Sequence, residues 1–99
     1  IISMDKTQFI DSLGSKQPPE TVGLHLKALW YDASGDWTLA HKLIQDEDDR
    51  TSAAIHAYLH RKEGDDWNAD YWYRRAGRSR FNGTLESEWQ AMVTELIAK

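Results

Sequence analysis

The chain has 99 residues, of which 40% are hydrophobic and 28% charged, and its formal net charge is −4. This length and composition fit one globular domain over residues 1–99, and the negative charge gives no support for a general nucleic-acid or anionic-membrane role. The absence of cysteine excludes disulfides, thiol nucleophiles and cysteine-ligated zinc. Because no apolar run is long enough for a signal peptide or a membrane span, we expect a soluble, cytoplasmic protein.

The first half of the chain contains three predicted helices, because periodic apolar stretches alternate with Gly, Pro and Asp clusters. A short N-terminal helix is expected at about 5–13, ending at Gly14. After the loop "SKQPPE", two further helices are predicted at about 20–33 and 36–45. Alternating strand patterns are nearly absent. The sequence therefore predicts an all-α fold.

The second half of the chain begins after the acidic run "DEDD" at 46–49, which we interpret as a solvated turn that caps the next helix. Helices are predicted at about 50–63, 66–77 and 84–98. Apolar residues recur along the last of these at spacings of four, three and four, namely Leu85, Trp89, Met92 and Leu96. This stripe predicts a helix that packs against a neighbour.

An internal repeat relates the two halves. A shift of 29 residues places "ALWYDASGDWTLAHKLI" (28–44) on "AYLHRKEGDDWNADYWY" (57–73). Both units contain a Gly-Asp pair at the same place, namely Gly35-Asp36 and Gly64-Asp65. Glycine can take the left-handed conformation that ends a helix, and the following aspartate can cap the next one. Each unit is therefore predicted to be a helical hairpin.

The repeat units resemble tetratricopeptide (TPR) or Sel1-like repeats, and "GDDWNADYWYRRAG" (64–77) is the closer match. The whole chain also resembles a family of short bacterial proteins. The period of 29 is shorter than the family's roughly 34 residues. The resemblance implies two TPR-like hairpins, at about 20–46 and 50–77, plus a short N-terminal helix and a C-terminal helix. It also implies non-enzymatic binding of a peptide or protein, by fold-level analogy.

Two groups of basic and aromatic residues are the candidate binding set. The TPR resemblance assigns Tyr58, Arg61 and Lys62 to a short ligand groove, which the N-terminal or last helix can cap or fill. The helix at 66–77 adds Tyr71, Arg75 and Arg78, and arginine forks recognise carboxylates, which predicts an acidic peptide or protein partner.

The simpler alternative for the arginines is a structural role, in which Arg74 or Arg75 forms an ion pair with the "DEDD" turn at 46–49. A nucleic-acid ligand is disfavoured, since four arginines stand in an acidic chain. The separation of an acidic and a basic end also allows head-to-tail self-association into a homo-oligomer.

A histidine-rich helix face offers a different function. His56, His60 and Glu63 lie at i, i+4 and i+7, and paired imidazoles with a carboxylate can bind a metal. Residues seven apart on a helix are separated by about 10 Å along its axis, however. A third ligand would then have to come from another segment, such as His25 or His41.

The repeat register gives these histidines a simpler role, as semi-buried packing residues between paired helices, with Glu63 solvated in the last turn. We favour this interpretation, which assigns no metal, no cofactor and no catalytic residue. The alternative function is a small-ligand-binding or enzymatic protein that uses the His56, His60 and Glu63 face, with Arg75 as an anion holder.

Overall fold

The computed structural model describes residues 4–98, which fold into six α-helices and, within that range, no β-strand. The helices are α1 (Lys6–Asp11), α2 (Leu24–Ala33), α3 (Trp37–Ile44), α4 (Arg50–Lys62), α5 (Asp66–Arg75) and α6 (Leu85–Ala98), and a 3₁₀ turn at Ser12–Gly14 extends α1. The all-α prediction is confirmed. The predicted domain, 1–99, exceeds the described residues at both ends. No helix in the described part is long and apolar enough to cross a membrane.

Side-chain caps define where most of the helices begin. The residues whose side chains accept a hydrogen bond from a first-turn backbone N–H are Asp5, Asp36, Asp49, Asp65 and Thr84. Such caps satisfy N–H groups that have no partner inside the helix. Helix α2 has no side-chain cap and begins at Leu24, four residues later than predicted, because Gly23 is extended (φ −81°, ψ −174°).

Two glycines close the hairpins as the repeat predicts. Gly35 and Gly64 have φ values of +93° and +85°, in the region that side chains other than glycine rarely adopt. Each glycine follows the first helix of a hairpin, and an aspartate cap follows each glycine. Helix α2 accordingly packs on α3, and α4 packs on α5.

The α4–α5 hairpin is held together by small side chains. Ala57 and Ala69 are fully buried where the two helices meet. A second group of alanines, Ala53, Ala54 and Ala76, is buried along the same contact. Small residues let helix axes approach closely, so that the aromatic rings beside them come into contact.

The C-terminal helix lies against the first helix of each hairpin. Helix α6 contacts α1, α2 and α4, and its predicted stripe is buried at Trp89 and Met92. The Trp89 indole N–H donates a hydrogen bond to the Leu29 carbonyl at 2.9 Å. Helix α6 therefore occupies the side of α2 and α4 that the TPR resemblance assigns to a ligand groove.

Candidate functional site

Two of the predicted groove residues bond to a buried aspartate. The Tyr58 hydroxyl donates to Asp32 Oδ2 at 2.7 Å, and the Lys62 ammonium donates to Asp32 Oδ1 at 2.9 Å. Tyr58 is 3% exposed, and its burial, followed by the hydrogen bond to Asp32, raises the pKa of its hydroxyl well above the ordinary value. These contacts tie α2 to α4.

The third groove residue joins α4 to α6. Arg61 donates to Glu88 Oε1 at 2.7 Å and to the Gly83 carbonyl, and the Tyr73 hydroxyl donates to Glu88 Oε2 at 2.6 Å. Glu88 is only 4% exposed, so the hydrogen bonds from Arg61 and Tyr73 replace the water that its carboxylate would otherwise bind. Burial, followed by the bond to Glu88, raises the pKa of the Tyr73 hydroxyl.

Together these contacts form what we call the α6 network, which consists of Asp32, Tyr58, Arg61, Lys62, Tyr73 and Glu88. The predicted groove side chains therefore contact the protein's own helices. A role for Tyr58, Arg61 and Lys62 in partner binding stays a prediction, and α6 covers much of the face on which they lie.

A cleft of about 320 Å³ remains between α1, α2, α4 and α6. Its walls include Ile10, Leu13 and Trp89, and its polar edge includes Asp32 and Lys62. The two charged groups already bond to one another at 2.9 Å. Glu86 and Gln90 also line the cleft.

On the other side of α4, three imidazoles meet in what we call the histidine cluster: His41, His56 and His60. His41 comes from α3 in the first hairpin, and the other two lie one turn apart on α4. The Nε2 atoms of His41 and His56 are 2.9 Å apart, and the ring centroids of the three residues are separated by 4.6, 4.8 and 5.2 Å. One ring nitrogen of each lies within 4.8 Å of the other two.

Tryptophans hold the cluster on two sides. Trp37 stacks on His41 with centroids 4.9 Å apart and planes at 10°, and its indole N–H donates to the Leu59 carbonyl at 2.8 Å. Trp72 stacks on His56 at 3.9 Å and 17°. These contacts fix the planes of two of the three imidazoles.

Glu63 contacts the cluster through one histidine. Its Oε1 lies 2.6 Å from His60 Nδ1, and its side chain is 39% exposed. His25, the other histidine suggested as a third ligand, bonds to Asp49 and Ser52 instead. Of the two candidates, only His41 joins His56 and His60.

Two of the three imidazoles, those of His41 and His56, lie in surroundings that favour the uncharged form. Burial lowers the pKa of His56 to about 3, with further lowering from His41, His60 and Arg75. Burial and then the charge of His60 also lower the pKa of His41. His56 is 5% exposed and His60 is buried beside it. At neutral pH both His41 and His56 are therefore neutral.

Helix α5 presents an exposed row of side chains, which we call the α5 stripe: Trp67, Tyr71 and Arg75. Trp67 is 81% exposed and Tyr71 is 40% exposed. The Arg75 guanidinium lies 5.0 Å from the Trp72 ring centroid and 5.9 Å from that of Tyr71, and it donates to the Tyr71 hydroxyl at 3.3 Å. Trp67 was not among the predicted binding residues, although its i, i+4 spacing from Tyr71 places both on one helix face.

Two arginines that follow α5 are paired with carboxylates. Arg78 lies 3.3 Å from Glu95, and Arg80 binds Asp70 with its nearest nitrogen at 2.7 Å. Asp49, in the "DEDD" turn, caps α4 and bonds to His25. The alternative that Arg74 or Arg75 pairs with this turn is not found among the ion pairs of residues 4–98.

No protein-family model, curated protein or solved structure matches the chain. The TPR-like assignment stays a resemblance carried by the repeat. Two features of the molecule carry the functional inference: the exposed α5 stripe and the buried histidine cluster.

Proposed function

We propose that this domain is a non-enzymatic interaction module whose α5 stripe binds an acidic segment of a protein partner. The observation that carries the proposal is the 81% exposure of Trp67 in line with Tyr71 and Arg75. Tryptophan, tyrosine and arginine are the residues that most often dominate the energy of protein–protein binding.

The apolar part of the stripe offers substantial binding energy. A tryptophan side chain buries about 150–250 Å² when it is covered. At about 25 cal/mol per Å², covering the exposed part of Trp67 is worth roughly 4 kcal/mol before the entropic cost of association. Trp67 is therefore the expected anchor of the interface.

The charged part of the stripe selects the partner. Arg74 and Arg75 are both exposed, and the Arg75 guanidinium is already oriented by Tyr71 and Trp72. An oriented guanidinium loses less conformational freedom on binding, and its remaining N–H groups can bind a carboxylate in a bidentate manner. A segment that combines an apolar residue with aspartate or glutamate meets both requirements.

A second candidate function, small-ligand binding at His56, His60 and Glu63, is favoured by the convergence of His41 on the first two. In that alternative Arg75 was predicted to hold an anion. The arginine contacts Trp72 and Tyr71, so any such role would be exerted beside the cluster and across these rings.

The test is affinity capture with the wild-type protein and with a Trp67→Ala/Arg75→Glu variant, followed by direct binding of the captured partner. We expect at least about 10-fold weaker binding for the variant, because anchor residues typically contribute 2 kcal/mol or more. Trp67 is exposed, so the far-UV circular dichroism of the variant should be unchanged.

Lys42→Glu provides the matched control, since Lys42 is exposed on α3 and its reversal changes the net charge without touching α5. It should bind like the wild type. Binding should also weaken as salt rises, because exposed ion pairs are screened. Identical partners and affinities for wild type and the double variant would contradict the proposal, as would a partner without acidic character.

A further inference from the structure

The histidine cluster gathers three ligands of one kind from two hairpins. A single hydrogen bond, between His41 Nε2 and His56 Nε2, links rings that together carry six nitrogens. A packing role would be met by any flat ring at these positions, since the tryptophan contacts are made by ring faces. Packing alone therefore does not explain why these three side chains carry ring nitrogens.

We infer that His41, His56 and His60 form a binding site for one divalent transition-metal ion, with Glu63 orienting His60. This site uses none of the three residues of the α5 stripe and goes beyond the proposed partner binding.

The distances are within reach of coordination by small side-chain rotations. Zinc binds imidazole nitrogen at about 2.0–2.1 Å, which places two nitrogens of a tetrahedral site about 3.3 Å apart. The His41 and His56 nitrogens, at 2.9 Å, need to separate slightly. The nitrogens of the three residues lie within 4.8 Å of one another, so the widest pair has to close by at most roughly 1.5 Å.

The hydrogen bond to Glu63 selects the coordinating nitrogen of His60. A ring N–H at Nδ1 donates to the carboxylate, which leaves the Nε2 lone pair as the metal ligand. Metal-bound histidines in proteins almost always donate their second ring N–H to such an acceptor, which fixes the tautomer and the ring orientation. Glu63 also supplies one negative charge beside a site that would otherwise contain only neutral ligands.

The protonation states suit metal binding. Coordination requires neutral imidazole, and burial lowers the pKa of both His41 and His56. One of the two hydrogen-bonded Nε2 atoms carries the proton between them, so that ring has to move its proton to Nδ1 before both Nε2 lone pairs can bind a metal. Stacking of Trp37 and Trp72 limits the ring motions that coordination would otherwise have to restrain.

The donor set indicates the class of metal. Three imidazoles without thiolate suit Zn²⁺, Cu²⁺, Ni²⁺ or Co²⁺, whereas Ca²⁺ and Mg²⁺ prefer oxygen ligands. Three protein ligands leave a fourth position for water, and His41 is the partly exposed member through which solvent can reach it. Asp65 also has an oxygen near His60 and Glu63, but that carboxylate caps α5 through the Asn68 N–H.

The first experiment uses the wild-type chain after treatment with a chelator. Zn²⁺ is titrated while the histidine ring nitrogens are followed by NMR, and Co²⁺ is titrated while the visible d–d spectrum is recorded. We expect one ion per chain, large shifts for His41, His56 and His60, and the absorption of four-coordinate Co²⁺. His25 should not shift, because it bonds to Asp49 and Ser52 away from the cluster.

Variants then assign the ligands. His41→Phe keeps a ring against Trp37 and removes the nitrogen, and it should weaken Zn²⁺ binding by more than about 100-fold, the upper range for loss of an outer-shell partner. Glu63→Gln should weaken it by about 10–100-fold. His25→Gln is the matched control because it also removes one histidine, and it should bind Zn²⁺ like the wild type.

The proposal is overturned if the wild-type protein takes up no stoichiometric Zn²⁺ or Co²⁺. It is also overturned if His25 shifts along with the others, or if His25→Gln loses as much affinity as His41→Phe. Because the NMR titration uses the unmodified chain, failure of a variant to fold does not affect the outcome. Far-UV circular dichroism of each variant without metal verifies the fold before its affinity is compared.

Discussion

Helix α4 carries buried polar groups toward two sides, and the two sets differ in kind. The α6 network pairs opposite charges: Arg61 binds Glu88, and Lys62 binds Asp32. The histidine cluster brings together three copies of the same group, with one carboxylate, Glu63, at its edge. Each set takes two or more members from α4, a helix of 13 residues, and the others from neighbouring helices.

The comparison separates a structural polar network from a candidate site. In the α6 network each side chain forms a hydrogen bond or ion pair with another member, and these bonds connect α2, α4 and α6. The network is therefore explained by its structural role in the fold. In the histidine cluster the rings pack against their neighbours, but most of the ring nitrogens form no hydrogen bond between helices. A metal site requires several suitable ligands held in a fixed arrangement, which the three imidazoles provide.

The sharpest way to test the structural role of the α6 network is Glu88→Ala. The change leaves the Arg61 guanidinium and the Tyr73 hydroxyl without their buried acceptor. Breaking one partner of a buried ion pair typically costs about 3–5 kcal/mol of the free energy of unfolding. Urea unfolding monitored by circular dichroism measures this loss.

Glu95→Ala on the same helix is the control for Glu88→Ala. Glu95 and Arg78 are both exposed, and exposed ion pairs contribute about 0–1 kcal/mol. Equal losses for the two variants would mean that the buried network does not hold α6 in place.

The histidine cluster should make the free energy of unfolding depend on pH, whereas the α6 network is tested by removing a hydrogen-bond acceptor. The pKa of His56 is lowered to about 3 in the folded protein, against an ordinary value near 6.5 in the unfolded chain. Between these values the unfolded chain binds more protons, so stability falls as pH falls. From pH 7 to pH 5, this one group should remove about 2 kcal/mol from the free energy of unfolding in metal-free buffer.

The measurement is urea unfolding at several pH values between 5 and 7.5, above the range in which most carboxylates titrate. The His56→Phe variant should show a flatter dependence, since its ring takes up no proton. A slope unchanged by that substitution would show that His56 does not contribute to the pH dependence.

The smallest expected effect is the change in the free energy of unfolding when phenylalanine replaces His56. At pH 7.5 without metal, His56→Phe should change the free energy of unfolding by no more than about 1 kcal/mol, because a ring of similar size keeps the stacking on Trp72. Thermal and urea unfolding measure it. A loss as large as that of Glu88→Ala would place the histidine cluster in the same structural category as the α6 network.

Local patterns predicted much of the fold. The capping aspartates, Gly35 and Gly64, and the apolar stripe of α6 all act through residues within one or two turns, and the structure has helices near each predicted position. The start of α2 was wrong by four residues, since Gly23 breaks the helix that the pattern placed at about residue 20. Ala57 and Ala69 occupy the places of Ala28 and Ala40 under the 29-residue shift, and both are buried between α4 and α5.

The candidate sites were less predictable. Tyr58, Arg61 and Lys62 have the composition of a binding face, but the pairing of Arg61 with Glu88 joins residues 27 apart in the chain. Trp67 is of a residue type that is often buried, and only the orientation of α5 in the fold leaves it exposed. Composition alone does not tell whether such side chains meet solvent or another helix.

By itself, the sequence determined that the chain forms helices joined by Gly-Asp turns, and that His56 and His60 share one face, because these features depend on backbone geometry over a few residues. Only the tertiary structure decided that His41 completes their cluster, 15 residues from His56 in the chain, while His25 does not. The tertiary structure also decided that α6 packs against α2 and α4. Both outcomes depend on how separate helices cross, and that is set by the packing of the whole core.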